Sequence, residues 1–178
     1  MVGRAPGGVL DGIVIWYKQL EVELTEVCVR VPGRVVSARL RSLVDGSTVV
    51  RLGGVYRLPR RACETATDVA AREAVDAAIV DVLEEAENNR EEVAIAGDLQ
   101  AQTVMAAEWN GCEVNEHDEW LAGVMAIHDL ASVCGVEPTY AATGPGGAAV
   151  RTTIDHWLAR RLSDVLNEIV THVSISAA

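Results

Sequence analysis

The chain has 178 residues, 49% of them apolar and 23% charged. That is the composition of one globular domain with room for a sizeable core, and it excludes a disordered, a collagen-like or a disulfide-scaffold chain. The net charge of −11 argues against a general nucleic-acid binder, because the phosphate backbone rewards clustered Lys and Arg, but it leaves room for an enzyme that meets phosphate through a bound cation.

No apolar run reaches the ~20 residues of a membrane-spanning helix. Val9 to Tyr17 is apolar but broken by Asp11, with no small-residue cleavage site after it, so no signal peptide is expected. Gly12 to Lys18 and Leu24 to Val31 read as strands, with Pro32-Gly33 as a turn. Val36, Ala38 and Leu40 alternate with Ser37, Arg39 and Arg41, the period of a half-buried strand. Asp45-Gly46 signals a hairpin, since both residues tolerate positive φ, and the β-branched stretch from Thr48 to Tyr56 is the return strand. The first third is therefore expected to be an antiparallel meander.

The pattern changes after Pro59. Thr65 with Asp68 resembles a capping box, and Ala71, Val75, Ile79, Val82 and Ala86 follow at helical spacing up to Asn88-Asn89. Val93 to Ala96 is continuously apolar, as in a strand buried on both faces. A second helix is expected from Asp118, as its cap, to Cys134, with Gly135 as the stop. Thr139 to Arg151 reads as a Gly-rich loop, and Thr152 to Ala178 as strand, short helix and strand. The expectation is one α/β domain, residues 1–178, with mostly antiparallel strands.

Asp98 follows directly on the buried strand, where α/β enzymes place catalytic or metal-binding groups, although a loop cap for Gln100 to Thr103 explains it as well. Asp155 closes a second apolar approach. Asp129 beside His128 reads as structural. The acidic run Glu84, Glu85, Glu87, Glu91 and Glu92 reads as an exposed helix face and end, and Arg57, Arg60 and Arg61, like Arg160 and Arg161, read as solvated surface. Cys28, Cys63, Cys112 and Cys134 form no CxxC. With no export signal they are expected to be free, buried thiols in an intracellular protein. A zinc set of Cys112, His117, His128 and Cys134 can be drawn, but its spacings match no common site. Gly144, Gly146 and Gly147 lack the Lys-Ser/Thr of a phosphate loop, and His117, His128, His156 and His172 have no evident partner in sequence.

The order of motifs says more than any one of them. Gly53-Gly54-Val55-Tyr56-Arg57-Leu58-Pro59, Ala96-Gly97-Asp98-Leu99-Gln100 and Ile154-Asp155-His156, with the Gly-rich start Gly7-Gly8-Val9, resemble the C-terminal two-thirds of the endonuclease/exonuclease/phosphatase superfamily. The start is similar to that of the endonuclease domains carried by retrotransposons. The resemblance implies the DNase-I-like fold, a two-sheet β-sandwich flanked by helices, here incomplete at both ends. It implies that Tyr56 holds the scissile phosphate, that Asp98 orients the attacking water and meets Mg²⁺, that Gln100 replaces the family's Asn as donor to a phosphoryl oxygen, and that Asp155 supports the site. The family's Glu ligand lies N-terminal to anything in this sequence, and Glu21 does not take its role. The closing Ser-Asp-His is absent, and His172 is a poor substitute. The implied activity is metal-dependent phosphodiester hydrolysis, impaired in this chain and with Mg²⁺ held weakly or not at all. The alternative is a catalytically dead interaction domain or retroelement remnant. Implied partners are nucleic acid or another phosphodiester, no membrane, and self-association or a complementing N-terminal segment.

Overall fold

The computed structural model describes residues 2–4, 12–17, 22–43, 49–59, 63–133, 136–143, 147, 149–160 and 173–177. The expectations for Gly7 to Val9, Glu21, Asp45-Gly46, Arg60, Arg61, Cys134, Gly135, Gly144, Gly146, Arg161 and His172 fall outside these residues.

Three strands, β1 (Val2–Arg4), β2 (Gly12–Tyr17) and β11 (Val173–Ala177), form a small sheet in the order β1-β2-β11. A six-stranded sheet contains β3 (Val22–Val31), β4 (Val35–Ser42), β5 (Val49–Tyr56), β6 (Glu92–Asp98), β10 (Asp155–Arg160) and β7 (Leu130–Ser132), in the order β3-β4-β5-β6-β10-β7. The expected meander is thus β3-β4-β5 alone. Gly12–Tyr17 pairs with the chain's last strand instead, and Ile13 packs on the large sheet against Leu40, Val50, Leu52, Ala94 and Ala159. Local pattern identifies a strand, but which sheet it joins is decided by the distant strand that pairs with it.

The helices lie on the other face of the large sheet. Helix α1 (Ala66–Asn88) begins at the capping box of Thr65 and Asp68, and it buries Val75, Ala78, Ile79, Val82, Leu83 and Ala86 against Val35, Val55, Val93 and Ile95. Val93 and Ile95 meet the helices while Ala94 meets the small sheet, which is why this strand is apolar without interruption. Because α1 carries the chain from the end of β5 back to the start of β6, these two strands run parallel, whereas the other described pairs are antiparallel.

The structure departs from the expected second helix, Gly-rich loop, solvated acidic face and buried thiols; Cys28 and Cys63 are exposed. The helix α3 (Glu116–Ile127) is capped by Asn115, with Asp118 as the third residue of its capping box. It ends at His128 and Asp129, the latter at φ 53°, and the next residues form β7 against β10. The Gly-rich stretch contains a two-stranded ribbon, β8 (Tyr140–Thr143) with β9 (Ala149–Thr152), and α2 (Val104–Trp109) is an additional short helix. The acidic run is also not merely a solvated face. Glu91 is buried and, with Glu85, pairs with Arg51, which is 2% exposed at the helix-covered end of β5.

Candidate active site

Tyr56, Asp98 and Asp155 form one row across three neighbouring strands. Tyr56 is the register partner of Asp98 in the parallel β5–β6 pair, and Asp155 is its partner in the antiparallel β6–β10 pair. Side chains at partnered positions share a face, so two motifs far apart in sequence place two carboxylates and a phenol side by side at one end of the sheet. The row is locked by backbone hydrogen bonds from Arg57 N–H to the Asp98 carbonyl (2.8 Å) and from Leu99 N–H to the Ile154 carbonyl (2.8 Å). Thr139 Oγ1 accepts from the amides of both Ile154 and Asp155 at 3.1 Å.

The row opens onto a cleft of about 490 Å³ whose walls include Tyr56, Pro59, Asp98, Gln100, Gln102, Asn115, Asp118, Tyr140, Thr152 and Ile154. Asp155 is exposed and is not part of the lining. Gln100 does not reach freely into the cleft. Its backbone N–H donates to Asp98 Oδ1 (3.0 Å) and its side-chain Nε2 to Asp98 Oδ2 (2.7 Å), with φ at 51°. A side chain longer than Asn therefore folds back onto the carboxylate, in a backbone region where Asn is better tolerated than Gln.

Burial pushes the Asp98 carboxyl up from its ordinary 3.8 to about 6; the Asp155 charge adds to the rise, and the hydrogen bonds from Gln100 oppose it. Since the folded state holds this proton more tightly than the unfolded chain, the ionised group weakens the fold progressively as pH rises from 3.8 through 6, and fully above that. Asp98→Asn is therefore expected to raise the melting temperature at pH 8 in the presence of a chelator and to leave it unchanged near pH 3.5. Equal melting curves for the two proteins at pH 8 would contradict this.

The loop after β6 is held at each residue by groups that sequence reasoning did not assign to the site. His156, 2% exposed, donates from Nε2 to the Ala101 carbonyl (2.8 Å). Asp118, 1% exposed, accepts from Gln102 N–H (2.6 Å) and from Asn115. Gln102 Oε1 in turn accepts from Asn110 Nδ2 and Thr153 N–H, both at 3.1 Å. Arg57, expected at the surface, is buried. It grips Asp76 with two hydrogen bonds (2.6 and 2.9 Å), donates to His117 Nδ1 (3.0 Å) and lies 4.1 Å over the Trp120 ring. The same nitrogen lies 3.3 Å from the Gln100 carbonyl, so His117 Nδ1 accepts from Arg57 in one tautomer and donates to Gln100 in the other. Burial and the Arg57 charge both hold His117 below its ordinary range, as burial does for His156. Arg160 is likewise structural, donating to the His128 carbonyl (3.1 Å). Of the drawn zinc set, His117 is committed to Arg57 and Cys134 lies outside the described residues.

No protein-family model matches the sequence, and no curated protein sequence matches it. Solved structures do. The endonuclease domain of TRAS1, a telomere-specific non-LTR retrotransposon, aligns over 87% of this chain and 69% of its own, at 15% identity and a TM-score of 0.58. The 3′-5′ exonuclease NExo from Neisseria meningitidis aligns at 17% identity and a TM-score of 0.54, over 78% of this chain and 59% of its own. A Neisseria NExo structure described as a 3′ phosphatase bound to a product DNA hairpin gives 18% identity and a TM-score of 0.52, and there too the chain spans 59% of that protein's length. The fold is DNase-I-like, as the motif order implied.

Proposed function

We propose that this chain is a metal-dependent phosphodiester hydrolase of nuclease type whose rate is held down by Gln100. The observation that carries the reading is the row of Tyr56, Asp98 and Asp155, the first two of which line the cleft. Its donors suit a hard cation. Asp98 and Asp155 offer two neighbouring carboxylates whose mutual repulsion an ion relieves, and the cleft is lined by oxygen and amide groups with no thiol or imidazole among the described residues. These two residues would hold Mg²⁺, which when bound supplies charge neutralisation and Lewis-acid polarisation of a phosphoryl oxygen. Tyr56 donates its hydroxyl to a phosphoryl oxygen. Asp98, ionised above about pH 6, orients the attacking water. The Gln100 amide is the weak element, because it is bonded to Asp98 rather than offered to the phosphate.

Hydrolysis of bis(p-nitrophenyl) phosphate in Mg²⁺ tests this. The wild-type chain is expected to be slow, Asp98→Ala to fall to background, and Gln100→Asn to gain on the order of tenfold to a hundredfold, the scale of a misplaced group set right. If Asp98→Ala matched the wild type and Gln100→Asn brought no gain, the domain would be an interaction module that keeps the fold without the chemistry. The engaged Gln100 amide favours that second reading.

A further inference from the structure

We propose that the cleft takes a single phosphodiester bearing a planar aromatic group, on the scale of a dinucleotide, in preference to a nucleic-acid duplex; this rests on the hydrolytic reading above. The charge of the walls carries the argument. Among the described lining residues there are two carboxylates, Asp98 and Asp118, and no Lys or Arg. Arg57 is held by Asp76 and His117, and Arg34 stacks on the Tyr56 ring at 4.6 Å without itself lining the cleft. On β9 it is Thr152, partnered with Tyr140, that lines the cleft, so strand alternation turns Arg151 to the opposite face. A duplex gains affinity by having several phosphates neutralised at once. Here each further phosphate meets a chain of net charge −11, while a small diester brings one charge to the place where a cation would sit.

The rest of the cleft suits the organic part of such a ligand. Tyr140 is 50% exposed, and its backbone is fixed by pairing with Thr152 and by the Thr139 N–H to Thr152 carbonyl bond (3.0 Å). It is a preformed aromatic platform, and base stacking on such a ring is tolerant of sequence. Ile154 and Pro59 supply apolar wall, and about 490 Å³ is small-molecule scale.

Calorimetric titration of the full chain in Mg²⁺ with thymidylyl-thymidine, a single-stranded oligonucleotide and a short duplex decides the matter. The dinucleotide is expected to bind at least as tightly as either polymer, with less than a threefold change between about 50 and 200 mM salt. Tyr140→Ala should weaken it about tenfold and Tyr140→Phe should not, as stacking requires. Tighter binding of the duplex with a steep salt dependence would overturn the proposal. So would affinity that climbs with each added nucleotide, or a dinucleotide indifferent to Tyr140→Ala. Binding is read without turnover, so absent hydrolysis in the Gln100 series would count against the enzymatic reading and not against this one.

Discussion

Gly97→Ala is expected to destabilise the fold by about 3–5 kcal/mol, combining overpacking with left-handed backbone strain. That is a large part of the total stability of an ordinary domain. Gly97 has φ at 135°, and a Cβ there would sit 2.0 Å from the Val55 carbonyl oxygen, across the parallel β5–β6 pair. The obstacle is backbone, so relief requires the end of β6 to leave β5, which breaks the Arg57 to Asp98 hydrogen bond and parts Tyr56 from Asp98. Gly53→Ala is the matched control. Its new Cβ would meet the Ile95 Cδ1 tip at 2.5 Å, a side chain that can rotate away, so the cost there should be about 1–2 kcal/mol. Urea midpoints of the two variants measure the difference, and equal midpoints would contradict the geometry.

Arg57→Met is expected to cost about 3 kcal/mol or more, the scale of removing one partner from a buried ion pair. Met replaces the stem of Arg57, whose side chain is 3% exposed, but strands the Asp76 carboxylate, 20% exposed, without its two donors. It also forfeits the stacking on Trp120. The same change should raise the His117 pKa towards its ordinary 6.5, because the Arg57 charge helps hold it down. Chemical denaturation and imidazole NMR titration read the two effects separately. A loss below about 1 kcal/mol, the worth of an exposed pair, would show that the guanidinium is dispensable.

The parts of this molecule that were legible in the sequence are those whose causes are local. The Thr65–Asp68 box fixes where α1 starts, and Val93 to Ala96 announces a strand covered on both faces. Asn115 and Asp118 are both competent caps, and only the structure shows Asn115 in that role and Asp118 three residues on. α2 is six residues long, too short for helical periodicity to register, and β7 exists because β10 lies beside it. The order of the motifs gave Tyr56, Asp98, Gln100 and Asp155 together as one site, with Asp98 and Asp155 expected at one end of the sheets. Their alignment is a property of strand register, which no stretch of sequence contains. The residues around them were missed for the same reason: His117 lacks a partner in its own neighbourhood because Arg57 is sixty positions away, and His156 is spent on a carbonyl fifty-five positions away.

The position of β6 in the sheet divides the site mechanically. Tyr56 and Asp98 sit on β5 and β6, which have strands on both sides and α1 packed above, whereas Asp155 sits on β10, outside which the six-stranded sheet continues only with the three residues of β7. Local opening spreads inward from thinly paired margins. The carboxylate pair is therefore unequally supported: Asp98 has a paired strand on each side, whereas β7 pairs only with Leu158 to Arg160 and leaves Asp155 with β6 alone, so local opening is expected to reach Asp155 before Asp98.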